Sequence, residues 1–310
     1  MDSVGTKNAG KKKTVISISI GSSKRDARGR LLLGDTEVSL ERKGTDGDME
    51  KAAQLLHFYD GKVDAMGLGG TDLYLVVGNR RYVFAESAKL LKQVNDTPVL
   101  DGSGLKNTLE RMAIRYLADA HVIDFNGKNV LLVCAVDRFG MAEALAEQNC
   151  RLLFGDIIYG LGCNIPIRSL AALRRWASVL VPIITRLPIK WMYPTGKKQD
   201  SHISRHPEYF ADSDVIAGDF LFIKRFMPAR LSGKTIITNT VTAADRQMLQ
   251  DAGVKTLITT TPCLQGRSFG TNVLEAAIVA VSGSKKALQP EEYEVFIRKY
   301  KIMPSIEHFQ

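Results

Sequence analysis

The stretch 97–145 constrains this chain more than any other, because it reads twice in succession as strand, glycine-bearing turn and helix. In its first half, residues 98–100 are a short apolar run and Asp101-Gly102-Ser103-Gly104 is turn chemistry. Leu105, Leu109, Met112, Ile114 and Leu117 then recur at helical spacing. A polar loop is thereby set on a helix N-terminus, where free N–H groups and the positive dipole end favour oxygen-rich ligands. In its second half, residues 129–136 are a continuous apolar run, as a parallel strand buried on both faces requires. Asp137-Arg138-Phe139-Gly140 leads from that run into a helix over 141–148.

Similar strand-to-loop units recur elsewhere, at 14–20, 63–68, 150–154, 214–217, 235–237 and 256–258. Strands alternating with helices predict an α/β protein with a doubly wound parallel sheet. Spread over 310 residues, the pattern predicts two domains. A basic disordered tail covers 1–13, and an N-terminal α/β substrate domain covers 14–120. A Rossmann-like dinucleotide-binding domain covers 121–284, and a C-terminal helix and tail, 285–310, pack back on the first domain. Within this frame Asp48 reads as the N-cap of a helix over 49–59, and 73–77 with 81–85 as a hairpin.

Composition narrows the class. Hydrophobic residues make up 45% and charged residues 24%, which excludes bulk disorder. Part of the net charge of +9 is the tail cluster Lys7, Lys11, Lys12 and Lys13, a solvated arm, so a nucleic-acid partner is not expected. Cys134, Cys150, Cys163 and Cys263 form no C-x-x-C pair. They read as thiols in a reducing, cytoplasmic setting, with no metal site. The lysines of the tail are followed by no apolar h-region, so no signal peptide is expected. The apolar run 176–184, bracketed by Arg175 and Arg186, has half of the roughly 18 residues a membrane span needs, so no membrane partner is expected. A small-molecule substrate remains as the expected partner, and homo-oligomerisation is left open.

Candidate binding residues gather where these strands end. The first parallel strand of the second domain is followed by A-V-D-R-F-G, which keeps Gly140 alone of the G-x-G-x-x-G fingerprint. Asp137 and Arg138 lie in that loop, where Arg138 has the chemistry to neutralise a pyrophosphate. Asp156 falls twenty residues beyond Val136 (156 − 136 = 20), about where an acid binds a ribose 2′-hydroxyl and disfavours NADP relative to NAD. Asn239 and Thr240 close a later strand. Arg267 and Asn272 sit in a polar cluster before a helix, Asn272 as its N-cap or, with Arg267, as a ligand contact.

The order of motifs resembles shikimate and quinate dehydrogenases. Asp101-Gly102-Ser103-Gly104-Leu105, a helix, then Gly127-Lys128-Asn129-Val130 is similar to that family's N-T-D-G-x-G-F, helix, G-K-x-V junction. Asp214-Val215-Ile216, the run 235–242 and the helix 247–253 are similar to later family motifs, so the likeness spans about 97–280. It implies an NAD(P)-dependent oxidoreductase acting on a secondary alcohol of quinate or shikimate, with NAD or NADP as cofactor. It also implies Asp101 as catalytic aspartate and Ser22 and Ser23 as the substrate-holding serine pair. The family's catalytic lysine has no counterpart in Gly67-Leu68-Gly69-Gly70-Thr71-Asp72, leaving Lys106 as the candidate. On this reading Asp101→Asn would spare folding and remove turnover. A non-redox module binding a nucleotide or anionic metabolite is the alternative on the same fold.

Overall fold

The computed structural model describes residues 11–78, 80–188, 202–264, 267–268 and 270–309, with only the backbone described at 263–264 and 267–268. The first part of the chain runs β1 (Lys12–Ser19), β2 (Ala27–Leu33), β3 (Thr36–Gly44), α1 (Met49–Tyr59) and β4 (Ala65–Gly69). It continues through the hairpin β5 (Tyr74–Val77) and β6 (Arg80–Val83), α2 (Ala85–Lys89), β7 (Val99–Leu100) and α3 (Ser103–Asp119). Five of these strands form a sheet in the order β2-β3-β1-β4-β7, parallel except for β2. Asp48 caps α1 by accepting the Lys51 N–H at 2.9 Å, as its sequence position predicts.

The second part runs β8 (Asn129–Leu132), α4 (Phe139–Ala146), β9 (Arg151–Phe154), one π-helical turn (Asp156–Leu161), α5 (Leu170–Ile184) and α6 (Pro207–Ala211). Then come β10 (Val215–Gly218), α7 (Phe220–Phe226), β11 (Thr235–Thr238), α8 (Ala243–Asp251) and β12 (Thr256–Thr259). A small hairpin of β13 (Cys263–Leu264) and β14 (Arg267–Ser268) precedes α9 (Thr271–Ser282), α10 (Pro290–Lys299) and β15 (Ser305–His308). The second sheet has the order β9-β8-β10-β11-β12-β15, parallel except for β15, which runs antiparallel to β12. Val130, Leu131 and Leu132 of β8 are buried, as are all residues of β10, which is why these strands read as unbroken apolar runs.

The protein is therefore a mixed α/β structure with two parallel-rich sheets. Three expectations are corrected. Numbered along the chain, the strands of the second sheet lie in the order 2-1-3-4-5-6, not the 3-2-1-4-5-6 of the dinucleotide-binding fold. The strand expected over 129–136 ends at Leu132, and residues 133–138 form turns that lead into α4. Helix α9, assigned to the second domain, packs on β1 and β4 of the first sheet, while β15, assigned to the first, completes the second. The chain thus crosses between the sheets after α3, after β12 and after α10.

A further exchange ties the two units. Leu75 and Val77 of β5 and Phe84 after β6 are buried in the same apolar cluster as Val130, Leu132, Phe154, Leu173 and Val181 of the second unit. Ala85 N–H donates to the Thr185 carbonyl at the end of α5 at 3.0 Å. Each such apolar side chain stabilises by about 2 kcal/mol when fully withdrawn from water. The hairpin is a strap rather than a loop.

Candidate functional site

The carboxyl ends of the two sheets meet at a charged cluster. Lys106 points from the first turns of α3, and its Nζ lies 2.5 Å from Asp137 Oδ1 in the loop after β8 and 3.5 Å from Asp72 Oδ1 in the loop after β4. Burial works against the charge on this lysine. Asp137 and then Asp72 outweigh it and hold the ammonium pKa above its usual value. A lysine stabilised in its charged form does not accept a proton at neutral pH, so Lys106 has the wrong electrostatics for a general base.

Arg138 is the second anchor and is 2% exposed. Its Nη1 pairs with Glu110 Oε1, its Nη2 lies 2.8 Å from Asp219 Oδ2, and its Nε lies 4.0 Å from Asp137 Oδ2. Burial opposes the guanidinium charge, and Glu110, Asp219 and Asp137 together keep its pKa well above the ordinary value. Burial pushes Glu110 up to about 7, although Arg138 and Lys106 pull the other way. Glu110 Oε2 and Arg138 Nε have no hydrogen-bond partner among the described residues. Asp219 also caps α7 through Leu221 N–H at 2.9 Å and accepts from Asn239 Nδ2 at 2.8 Å. Asp137 and Asp219 keep about a quarter of their side-chain surface open, 25% and 23%.

The other sequence-predicted residues do structural work. Both oxygens of Asp101 are occupied: Oδ2 accepts Leu73 N–H at 2.6 Å and Tyr74 N–H at 3.0 Å, and Oδ1 accepts Ser103 N–H at 3.0 Å and its hydroxyl at 2.7 Å. It aligns the turn into α3 with the strap. Asp156 turns toward its own neighbour, accepting Val136 N–H at 2.8 Å and Ala135 N–H at 3.1 Å. The backbone donors of the β8 loop are thereby satisfied internally. Burial raises the Asp156 pKa to about 6, and the two N–H bonds restrain the rise. Gly140 lies where a Cβ would run into the Asn107 carbonyl, so it permits the close contact of α3 and α4.

Ser22 caps a short turn after β1 by accepting Lys24 N–H at 3.2 Å, and Ser23 N–H donates to Asp46 Oδ1 at 2.8 Å. Asn272 is not an N-cap, because Gly270 occupies that position. Its amide donates to Ser17 Oγ at 2.8 Å and sits against Gly67 and Gly69, whose missing side chains admit it. Thr240 is half-buried after β11. Arg267 belongs to β14, and its expected ligand contact lies outside the described side chains. The structure thus joins Lys106, Asp137, Arg138 and Asn239 in one cluster and leaves Asp101, Asp156, Ser22, Ser23 and Asn272 in separate local networks.

Asp72 and Glu110 complete the cluster and were missed in the sequence. Glu110 was accessible to reasoning, since it follows Lys106 by four residues and shares its helix face. Among the described residues no group of His, Cys, Asp or Glu is arranged to hold a metal, and no helix is long and apolar enough to cross a membrane. The Cys134 thiol is buried, its pKa raised by that burial, and its sulfur accepts Asp219 N–H. Two surface cavities lie away from this junction. One of about 360 Å³ is lined by Lys13, Lys62 and Lys285, and one of about 420 Å³ by Arg28, Arg30 and Tyr59.

Fold and site together define a mixed α/β protein whose two sheets meet at a carboxylate-rich junction in which Lys106 and Arg138 are both paired with acids. The model of a family described as Domain of unknown function (DUF8754) matches residues 104–309, and the chain belongs to that family. A second model, described as Domain of unknown function (DUF8753), matches residues 14–101. No curated protein sequence matches. Among solved structures, the chain is similar to a galactofuranose binding protein at 13% identity and a TM-score of 0.35, covering 93% of this chain and 98% of that one. It is also similar to a periplasmic ribose ABC transporter protein from Conexibacter woesei, at 10% identity and 0.36, with coverages of 95% and 97%. An ABC transporter solute binding protein from Agrobacterium vitis bound with α-D-tagatopyranose gives 10% and 0.40, with coverages of 96% and 94%.

Neither family model is that of a shikimate or quinate dehydrogenase, so the resemblance over 97–280 is corrected, and with it the reading as an NAD(P)-linked oxidoreductase of quinate or shikimate. The geometry gives physical reasons. The residue expected to act as base is a locked ammonium, and the aspartate expected beside it is saturated by N–H and O–H donors.

Proposed function

We propose that this protein is a non-catalytic binding module for a small, hydroxyl-rich molecule that carries no net negative charge. The observation that carries this reading is the pair Asp137 and Asp219, held rigid by Lys106 and Arg138 yet partly open to solvent. They follow β8 and β10, which are adjacent strands. The 2-1-3-4-5 order of the parallel strands supports a doubly wound sheet, whose ligand crevice lies outside the carboxyl ends where the winding reverses, here between β8 and β10. Fixed carboxylate oxygens are acceptors for ligand hydroxyls, and Asn239 and Thr240 border the same edge. Lys106 faces two carboxylates, and Arg138 faces Glu110 and Asp219. With both cations of the cluster already paired among the described residues, an anionic metabolite meets like charge, which disfavours the anion-binding alternative.

Thermal-shift and calorimetric titrations with neutral sugars and polyols, beside sugar acids and sugar phosphates of matched size, test the proposal. The expected result is stabilisation by a neutral member and at least about tenfold weaker binding in Asp219→Asn, from loss of a charge-assisted hydrogen bond. Binding confined to acids, phosphates or NAD(H), or no binding by any member, overturns it.

A further inference from the structure

Helix α5 contributes Leu173, Ala177 and Val181 to the core of the second unit, so its inner face is fully used. Its outer face carries a second apolar row. Trp176, Val179 and Ile183 follow one another at helical spacing and are 41%, 62% and 57% exposed. Scattered exposed apolar residues are ordinary, but a stripe on one helix signals a partner. Exposed arginines frame it: Arg168 before the helix, Arg175 beside Trp176 and Arg186 after the last turn. The helix itself, LAALRRWASVLVPII, contains no acidic residue. Glu143 of α4, which reaches this helix, is paired with Arg111 and with Arg174.

We infer that this face of α5 docks the protein on an anionic lipid surface, lying flat in the headgroup layer. A tryptophan and branched aliphatics beside arginines are the composition of an interfacial helix, with arginine stems covering apolar surface while their heads reach phosphate. Fifteen residues extend about 22 Å at 1.5 Å each, and the inner face belongs to the protein core, so the helix lies on the membrane without crossing it. Charge complementarity selects this occupant over a second copy of the chain. Two such faces in contact would bring their arginine frames together, whereas anionic headgroups attract every one of them. The net charge of +9 favours approach to the same surface.

Flotation of the full chain with vesicles tests the inference. Vesicles of phosphatidylcholine with about 30% phosphatidylserine should carry at least about tenfold more protein than pure phosphatidylcholine, and high salt should release it. Arg175→Glu and the double variant Val179→Glu/Ile183→Glu should each abolish flotation. All of these positions are exposed, and circular dichroism and melting confirm that the variants fold. No flotation of the wild type, equal binding to both vesicle types, or unimpaired binding by the folded variants overturns the inference. So does concentration-dependent self-association that the double variant removes, which would assign the face to a second copy.

Discussion

Lys106 and Asp137 are in contact across the boundary between the two sheets, with 2.5 Å between ammonium nitrogen and carboxylate oxygen. Replacing Lys106 by Met removes the cation in contact with the buried Asp72 and the partly buried Asp137, leaving Arg138, 4.0 Å from Asp137, as the remaining counter-charge. Urea unfolding should show a loss of about 3–5 kcal/mol, the usual effect of breaking one side of a buried ion pair. Lys106→Met/Asp137→Asn should recover part of this, because the second change removes one stranded charge.

Asp101→Asn should cost about 1–3 kcal/mol in the same measurement. This revises the expectation that the substitution spares folding. Each carboxylate oxygen faces two donors, so the amide must turn its own NH₂ toward one of those pairs. A melting temperature equal to wild type would refute it.

Glu275 should make the protein less stable as pH rises. It is 1% exposed in α9, and Tyr293 O–H donates to its Oε1. Burial, then the nearby Asp101 charge, raises its pKa to about 8 from an ordinary 4.5, while the Tyr293 bond works in the other direction. A raised folded-state value means that the native protein holds a proton the unfolded chain has released. The contribution is complete below about 4.5 and is lost as pH climbs through about 8. Glu275→Gln should flatten the fall in melting temperature between pH 6 and pH 8.5, and an unchanged slope would exclude this carboxyl as its source.

Gly140→Ala should destabilise by about 1–3 kcal/mol or more, because the new methyl meets the Asn107 carbonyl and forces α3 from α4. Gly160→Ala, where no atom lies within 4 Å, is the control and should be near neutral.

Much of the architecture is legible in the sequence because it rests on local periodicity. The unbroken apolar runs of β8 and β10 announce parallel strands, and Asp48 announces a helix start. What stays hidden depends on distant partners. Strand β15, Ser-Ile-Glu-His, is short and mixed, and becomes a strand by pairing with β12 about fifty residues earlier. Asp72 looks like part of a glycine-rich turn until the fold brings it to Lys106, thirty-four positions on (106 − 72 = 34). The spacing argument placed Asp156 after β9 to meet a ribose hydroxyl, but its carboxylate instead accepts Val136 N–H of the loop after β8. Asn272 has the right chemistry for a cap, yet Ser17 lies close enough across the first sheet to claim its amide.

The strap of β5 and β6 changes what counts as a half of this protein. Two family models divide the chain at residues 101 and 104, yet Leu75, Val77 and Phe84, from the earlier segment, fill the interior of the later one. In return, α9 of the later segment covers β1 and β4 of the earlier. Expressed apart, each fragment would expose the socket left by the other. Complementation between two co-expressed pieces is a more natural state for a severed chain than independent existence of either.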